Sequence, residues 1–269
     1  MNALSRAGIL AALAVATACT SFPEPAASKS SAAIEALAPG GKLRVGLYPG
    51  SPTSFIPAKD GVESRGIGYD LAKELAARAG VTFEPVVFAS NDKVQEAARA
   101  GNVDLVFTNA TAPRAQYLDF TASVLAIEKS YVVAARSPIR EAAELDRAEI
   151  RIGISRGSTT QGELAKFMKH AQFIPMDSLA DGSRALAEGR LDAYASNKAI
   201  LHQMSDGLPG SRVLPGSWGE ESIAFGVPKG RPAALPYLEA FVRKARGEGA
   251  VRRAADRAGV RGLAGGGSG

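Results

Sequence analysis

The sequence predicts an α/β protein of two lobes, each a mostly parallel sheet with flanking helices, joined by two crossing strands. Three observations carry this. Strand and helix patterns alternate through residues 42–107 and again through 150–196, the order that builds parallel sheets. Between the two series lies a longer β-rich segment, residues 127–135, with no helix directly behind it. A second such segment, 222–227, precedes two C-terminal helical patterns, so the first lobe draws on both ends of the chain. With 269 residues and 46% hydrophobic content, a sizeable core can be buried. The expected boundaries are 42–126 plus 228–263 for the first lobe, and 127–227 for the second, with hinge strands at its ends.

Each element has its own signal. Residues 42–47 (KLRVGL) alternate as a strand and break at Pro49-Gly50. Residues 69–78 read as a helix, with Ile67, Leu71 and Leu75 on one stripe and Gly80 as its stop. Residues 81–88 read as a strand and 92–100 as a helix with Val94 and Ala97 inward. Leu105, Val106 and Phe107 form one buried strand. Thr111-Ala112-Pro113-Arg114 reads as a helix start, with Thr as cap and Pro in the first turn. In the second series, 150–155 is a strand and 160–169 a helix, with Leu164, Phe167, Met168 and Ala171 at core spacing. A strand near Phe173, a helix over 179–188 and a strand over 192–196 follow. Residues 232–258 give two helices, with Leu235, Leu238, Phe241, Val242 and Ala245 on one face. No internal repeat is visible.

The ends read differently. Residues 1–18 have the form of a secretory signal peptide: Arg6, an apolar run over 7–15 too short to span a bilayer, then Ala16-Thr17-Ala18. Cys19, the only cysteine, leaves the exported body without a disulfide or a thiol nucleophile. It also resembles the lipidated cysteine of a bacterial lipobox, although Ala16 stands where Leu is usual. Residues 19–41, rich in Pro, Ala, Ser and Gly, read as a flexible tether, and 264–269 as a disordered tail. A periplasmic protein is expected, free or anchored through Cys19. The net charge of +5 is spread among acidic residues without a basic run, which argues against nucleic acid. His170 and His202, both expected on helices, have no metal-ligand spacing, so neither metal nor cofactor is expected.

The binding chemistry centres on residues 104–123. A strand emptying into polar Thr108 and Asn109 and then into a helix start leaves several donors near one spot, which suits an anion. Arg114 can grip a carboxylate with two parallel hydrogen bonds. On this stretch alone, a solvated surface arginine after an ordinary cap stays equally open. Ligands of such sheets lie outside the carboxyl ends of strands, where Tyr48, Asn109 and Arg114 fall. In the second lobe Gly157 lets a ligand approach backbone, and Ser158 and Thr159 offer N–H groups and hydroxyls; a plain helix cap is the alternative. The loop lacks the Lys and the spacing of a P-loop.

Asp104 with its apolar run, Thr111-x-x-Arg114, and Asp119-Phe120-Thr121 together resemble the signature of family 3 bacterial extracellular solute-binding proteins. These are the amino-acid-binding components of ABC importers. Gly157-Ser158-Thr159 and Gly189-Arg190-Leu191-Asp192-Ala193 are similar to two further motifs of that family, in its order. The resemblance implies the type II periplasmic-binding fold and a binding protein, not an enzyme. It implies a carboxylate clamp at Arg114, supported by Thr108, Asn109 and Thr111, and contacts from Ser158 and Thr159. It places Tyr48 and Ser51 in a loop that lines the ligand side chain. The family's ammonium-pairing Asp falls at Asn197 here. Three explanations stand: the ligand is not a standard α-amino acid, Glu220 or Glu221 supplies the charge, or Asn197 is a plain helix cap.

The implied function is capture of a small carboxylate-bearing solute, an amino acid or a relative, by hinge closure. The implied partner is an inner-membrane ABC permease; the protein is expected as a monomer, with no membrane contact beyond a lipid anchor. Two alternatives remain. One is an enzyme on the same fold, resembling cyclohexadienyl dehydratases, for which only Glu220 or Glu221 offers an acid or base. The other is a sensor input protein that hands its closed form to a separate receptor.

Overall fold

The computed structural model describes residues 31–264. The expected signal peptide, Cys19, the first part of the tether and residues 265–269 lie outside the described residues.

The described residues begin with α1 (Ser31–Leu37), inside the stretch that composition marks as a tether. That expectation fails over 31–41, because Ala33 and Leu37 are buried. Leu37 joins the same apolar cluster as Leu238 and Phe241 of the helix Ala234–Gly247. The expected order then holds through β1 (Lys42–Leu47), α2 (Ile67–Ala79), β2 (Thr82–Val87), α3 (Asn91–Arg99) and β3 (Leu105–Asn109). Gly80 ends α2 in the left-handed region at φ 71° and caps the last turn with its N–H.

After β3 the helix expected from Thr111 does not form. Thr111 makes no side-chain cap, and only one 3-10 turn, Arg114–Gln116, appears. The reason lies downstream: β4 (Leu118–Phe120) begins two residues later and pairs with Pro228 to Gly226 of β10 (Gly219–Pro228). Burying Leu118 in that pairing leaves no length for an α-helix.

The second series runs β5 (Leu125–Val133), β6 (Arg151–Ser155), α4 (Thr160–Leu164), β7 (Gln172–Met176), α5 (Leu179–Ala187) and β8 (Ala193–Asn197). It continues with α6 (Lys198–Asp206), the helix expected to carry His202, and with β9 (Arg212–Val213), which the sequence reading did not include. Helix α4 stops at Leu164, short of the expected 169. The Asp146 carboxylate captures the backbone N–H groups of Lys169, His170 and Ala171, which a continuing helix would direct to its own carbonyls. His170 therefore sits off any helix, and Phe167, expected in the core, is exposed. Helices α7 (Ala234–Gly247) and α8 (Ala250–Arg257) return to the first lobe and close its core with α2.

All strands join one mixed, curled sheet in the order β2-β1-β3-β10-β5-β8-β6-β7. Strands β5 and β10 cross between the lobes. Residues 223–226 of β10 pair with β3, and residues 219–223 pair with β5, whose residues 129–133 pair in turn with β8. The two-lobed architecture with two crossing strands is thus present as predicted.

The lobes also repeat each other, which the sequence reading did not see. Arg44 of β1 bonds Asp104 through its backbone N–H and its guanidinium, and also reaches the Gly101 carbonyl. Arg151 of β6 does the same with Asp192 and Gly189. The shared pattern is Gly-x-x-Asp-x-x-x-x-Asn, at 101–109 and 189–197, which puts Asn109 and Asn197 at equivalent strand ends.

Candidate functional site

Each lobe has one place where neighbouring parallel strands carry their connections to opposite sides. In the first it lies between β1 and β3, and in the second between β6 and β8. Crevices form outside the carboxyl ends of such strands. Here the two crevices face each other and enclose a cavity of about 40 Å3, roughly the space of three waters. Tyr48, Thr108, Asn109 and Arg114 line it from the first lobe, and Ser158, Thr159 and Asn197 from the second. A larger groove of about 670 Å3 adjoins it, sharing Arg114, Ser158 and Thr159 as its boundary.

Two residues of the expected set fall elsewhere. Thr111 lines the outer groove, and its buried hydroxyl has no partner among the described residues. Ser51 is fully buried behind the wall, bonded to the Thr53 hydroxyl at 2.8 Å, and it is Thr53 that reaches the cavity.

Arg114 is buried, so the surface-arginine alternative does not hold. One nitrogen donates to Thr108 Oγ1 at 2.7 Å and to the Asn109 carbonyl at 3.1 Å, and the other to the Gly157 carbonyl at 3.2 Å. Among the described residues no carboxylate pairs with it. Burial pushes its pKa down, against the attraction of Glu221. A guanidinium has five N–H groups, so two remain for an incoming anion. Thr108 Oγ1 accepts from both Arg114 and Gln95, which leaves its own hydrogen to donate to that anion.

Asn197 caps α6, with Oδ1 accepting from the Ile200 N–H at 3.1 Å. Its amide also donates to Glu221 Oε2 at 2.8 Å, so the cap forms and Glu221 is the acid that lies beside it. Thr159 Oγ1 donates to Glu163 at 2.7 Å and receives a long bond from Asn109 at 3.4 Å. Glu163 also pairs with Lys129, a buried lysine whose ammonium lies 4.7 Å over the Trp218 ring. Sequence reasoning missed Lys129, although strand alternation puts it on the same face as Ile127 and Tyr131. It missed Asn91 as well, whose amide reaches the Gly157 carbonyl at 3.2 Å. The described residues hold no group of three potential metal ligands.

The lobes touch at Gly157. Its φ is +74°, and a Cβ there would lie 2.6 Å from Asp92 Cβ and 2.7 Å from Asp92 Cα. Gly157→Ala should therefore hold the lobes apart. The expected result is at least a tenfold weaker affinity and a larger radius of gyration for the ligand-saturated protein by small-angle scattering. Unchanged scattering and affinity would mean the contact plays no part in closure.

These features match known proteins. The model of bacterial extracellular solute-binding proteins, family 3, matches residues 43–259. The ABC transporter glutamine-binding protein GlnH of Bacillus subtilis (strain 168) is 22% identical over 194 residues, covering 70% of each chain. The solute receptor for L-cysteine of Neisseria gonorrhoeae shares the fold with a TM-score of 0.75 at 24% identity, over 84% of this chain and 93% of that one. An ancestral amino-acid-binding protein, a precursor of cyclohexadienyl dehydratase, aligns with a TM-score of 0.71 at 22% identity, over 81% and 95%. The strand order, the facing crevices and the family match over most of the chain lead to one conclusion: the chain belongs to the bacterial extracellular solute-binding proteins of family 3.

Proposed function

We propose that this protein is the periplasmic binding component of an amino-acid ABC importer, capturing a small carboxylate-bearing solute between its lobes and presenting the closed form to a permease. The observation that carries this reading is Arg114: a buried guanidinium on the cavity wall, with spare N–H groups and no carboxylate partner among the described residues. A buried cation is costly unless something pairs with it. The ligand carboxylate supplies that partner, and Thr108 adds a donor beside it. Relatives named as binding glutamine and L-cysteine support an amino-acid-like ligand.

Closure follows from where the contacts lie. Asn91, Asn109 and Arg114 of the first lobe reach Gly157 and Thr159 of the second. A ligand held by both lobes shifts the population toward the closed form by the contacts it adds only there. Strands β5 and β10 are the hinge in this reading.

The test is a thermal-shift comparison of L-alanine, L-serine and L-glutamine with their α-carboxamides. A ligand at a hundred times its Kd stabilises by about 2.7 kcal/mol, which for a chain of this size raises Tm by roughly 5–10 °C. At least one free acid should do so while its α-amide does not. An amide that stabilises as well as the acid would remove the carboxylate from the reading.

A further inference from the structure

Thr159 precedes α4 but does not cap it. Its backbone is already helical, at φ −79° and ψ −8°, and its side chain makes no capping bond. The hydroxyl is used otherwise: it donates to Glu163 Oε1 at 2.7 Å, one turn along the chain. The other oxygen of that carboxylate accepts from the Lys129 ammonium. Lys129 is buried on the crossing strand β5, between Gly219 of β10 and Asn197 of β8, with its ammonium over the Trp218 ring. A charge-assisted bond to so firmly seated a lysine also fixes the oxygen that faces Thr159. A hydroxyl has one hydrogen, and Glu163 takes it. The lone pairs of Thr159 Oγ1 are left to accept, and the group they meet is the Asn109 amide of the first lobe, at 3.4 Å.

We propose that Glu163 and Lys129 are positioning residues for ligand capture, which hold the Thr159 hydroxyl as an acceptor toward the first lobe. The proposal rests on the closure reading above and adds what orients its contact from the second lobe. A freely rotating hydroxyl presents its hydrogen to Asn109 part of the time, and the bond between lobes is then lost. Glu163 acting only through its charge would have the opposite effect. It lines the groove that adjoins Arg114, where a carboxylate repels the carboxylate of a bound solute. Glu163→Gln separates the two roles. The amide oxygen stays on the Lys129 ammonium, which can only donate, so the amide N–H2 faces Thr159. The hydroxyl hydrogen then turns toward Asn109, and two donors meet across the gap between the lobes.

The experiment is a double-mutant cycle, with Kd measured by calorimetry for L-alanine, L-serine and L-glutamine. For at least one of them Glu163→Gln should weaken binding about tenfold, as should Thr159→Val, the loss of one well-placed bond. The double variant should bind within about twofold of Thr159→Val alone, because Glu163 acts through that hydroxyl. Thr159→Ser keeps the hydroxyl, so in that background Glu163→Gln should again weaken binding about tenfold. If Glu163→Gln fails to fold because Lys129 is left unpaired, Lys129→Met together with Glu163→Gln removes both charges and enters the same cycle. Losses that multiply in the double variant, or tighter binding in Glu163→Gln, overturn the positioning role while the closure reading stands. Failure of the wild type to bind any of the three overturns both.

Discussion

Arg114→Ala should weaken ligand binding by roughly two to three orders of magnitude and leave the melting temperature of the empty protein almost unchanged. The two effects separate because of what the guanidinium touches. Its partners are one hydroxyl and two backbone carbonyls, with no carboxylate among the described residues. In the empty protein those bonds offset the cost of burying an unpaired cation, and the alanine variant loses both together. Thr108 keeps its bond from Gln95. In the complex the balance differs. Each charge-assisted bond to a carboxylate contributes about 1.5–2 kcal/mol, and a fork makes two, so about 3–4 kcal/mol is lost. At 1.4 kcal/mol per tenfold this is roughly 100- to 1,000-fold in Kd. Arg114→Lys keeps the charge and loses the fork, so it should fall between. Calorimetry with the best-bound amino acid and a thermal melt without ligand check both halves. Loss of folding in step with binding would make Arg114 a structural residue.

The residues that line the cavity were legible where strand ends and helix starts leave local signals. Tyr48, Asn109, Ser158 and Asn197 all stand at such junctions, and the alternation of strands and helices fixes which end of the sheet they occupy. Lys129 and Glu221 were harder, because both lie inside strands that the pattern presents as crossings between lobes. Their charges are explained only when β5 and β10 are seen side by side, next to β8. The missed helix α1 shows a different limit: its seven residues are mostly Ala and Ser, and their burial depends on α7, two hundred residues downstream. The short turn at Arg114 is similar, since a good Thr and Pro start is overruled by the need to pair β4 with β10. The repeat escaped because only a few identities carry it. Two arginine–aspartate clasps are recognisable once their partners are known, and they offer a stability comparison within one molecule.

Asp104→Ala should lower the melting temperature by roughly 6–12 °C at pH 7, whereas Asp192→Ala should cost only about 2–4 °C. The two aspartates hold equivalent places but different surroundings. Asp104 is fully buried and pairs with two arginines, Arg44 and Arg231, each at 2.7 Å. Asp192 has a side chain 30% exposed and one arginine, itself 38% exposed. Removing one member of a buried pair leaves the other charge without compensation, at about 3 kcal/mol, while a half-exposed pair is screened by water and contributes about 1 kcal/mol or less. For a chain of this size each kcal/mol moves Tm by about 2–4 °C. The effect should depend on pH in a definite direction. Burial pushes the Asp104 carboxyl up, but the bonds from Arg44 and Arg231 outweigh it and hold the group below its usual range. The charged form is therefore favoured more in the folded chain than in the unfolded one, where the value is about 3.9. Its stabilisation is complete above that value and is lost as pH falls through the folded value. Melts of the wild type and Asp104→Ala should stay apart by a constant gap from pH 5 to 7 and draw together progressively as pH falls below about 4. A gap that does not narrow at all on acidification, or equal losses for the two aspartates at pH 7, would show that the clasp holds the lobe by shape and not by charge.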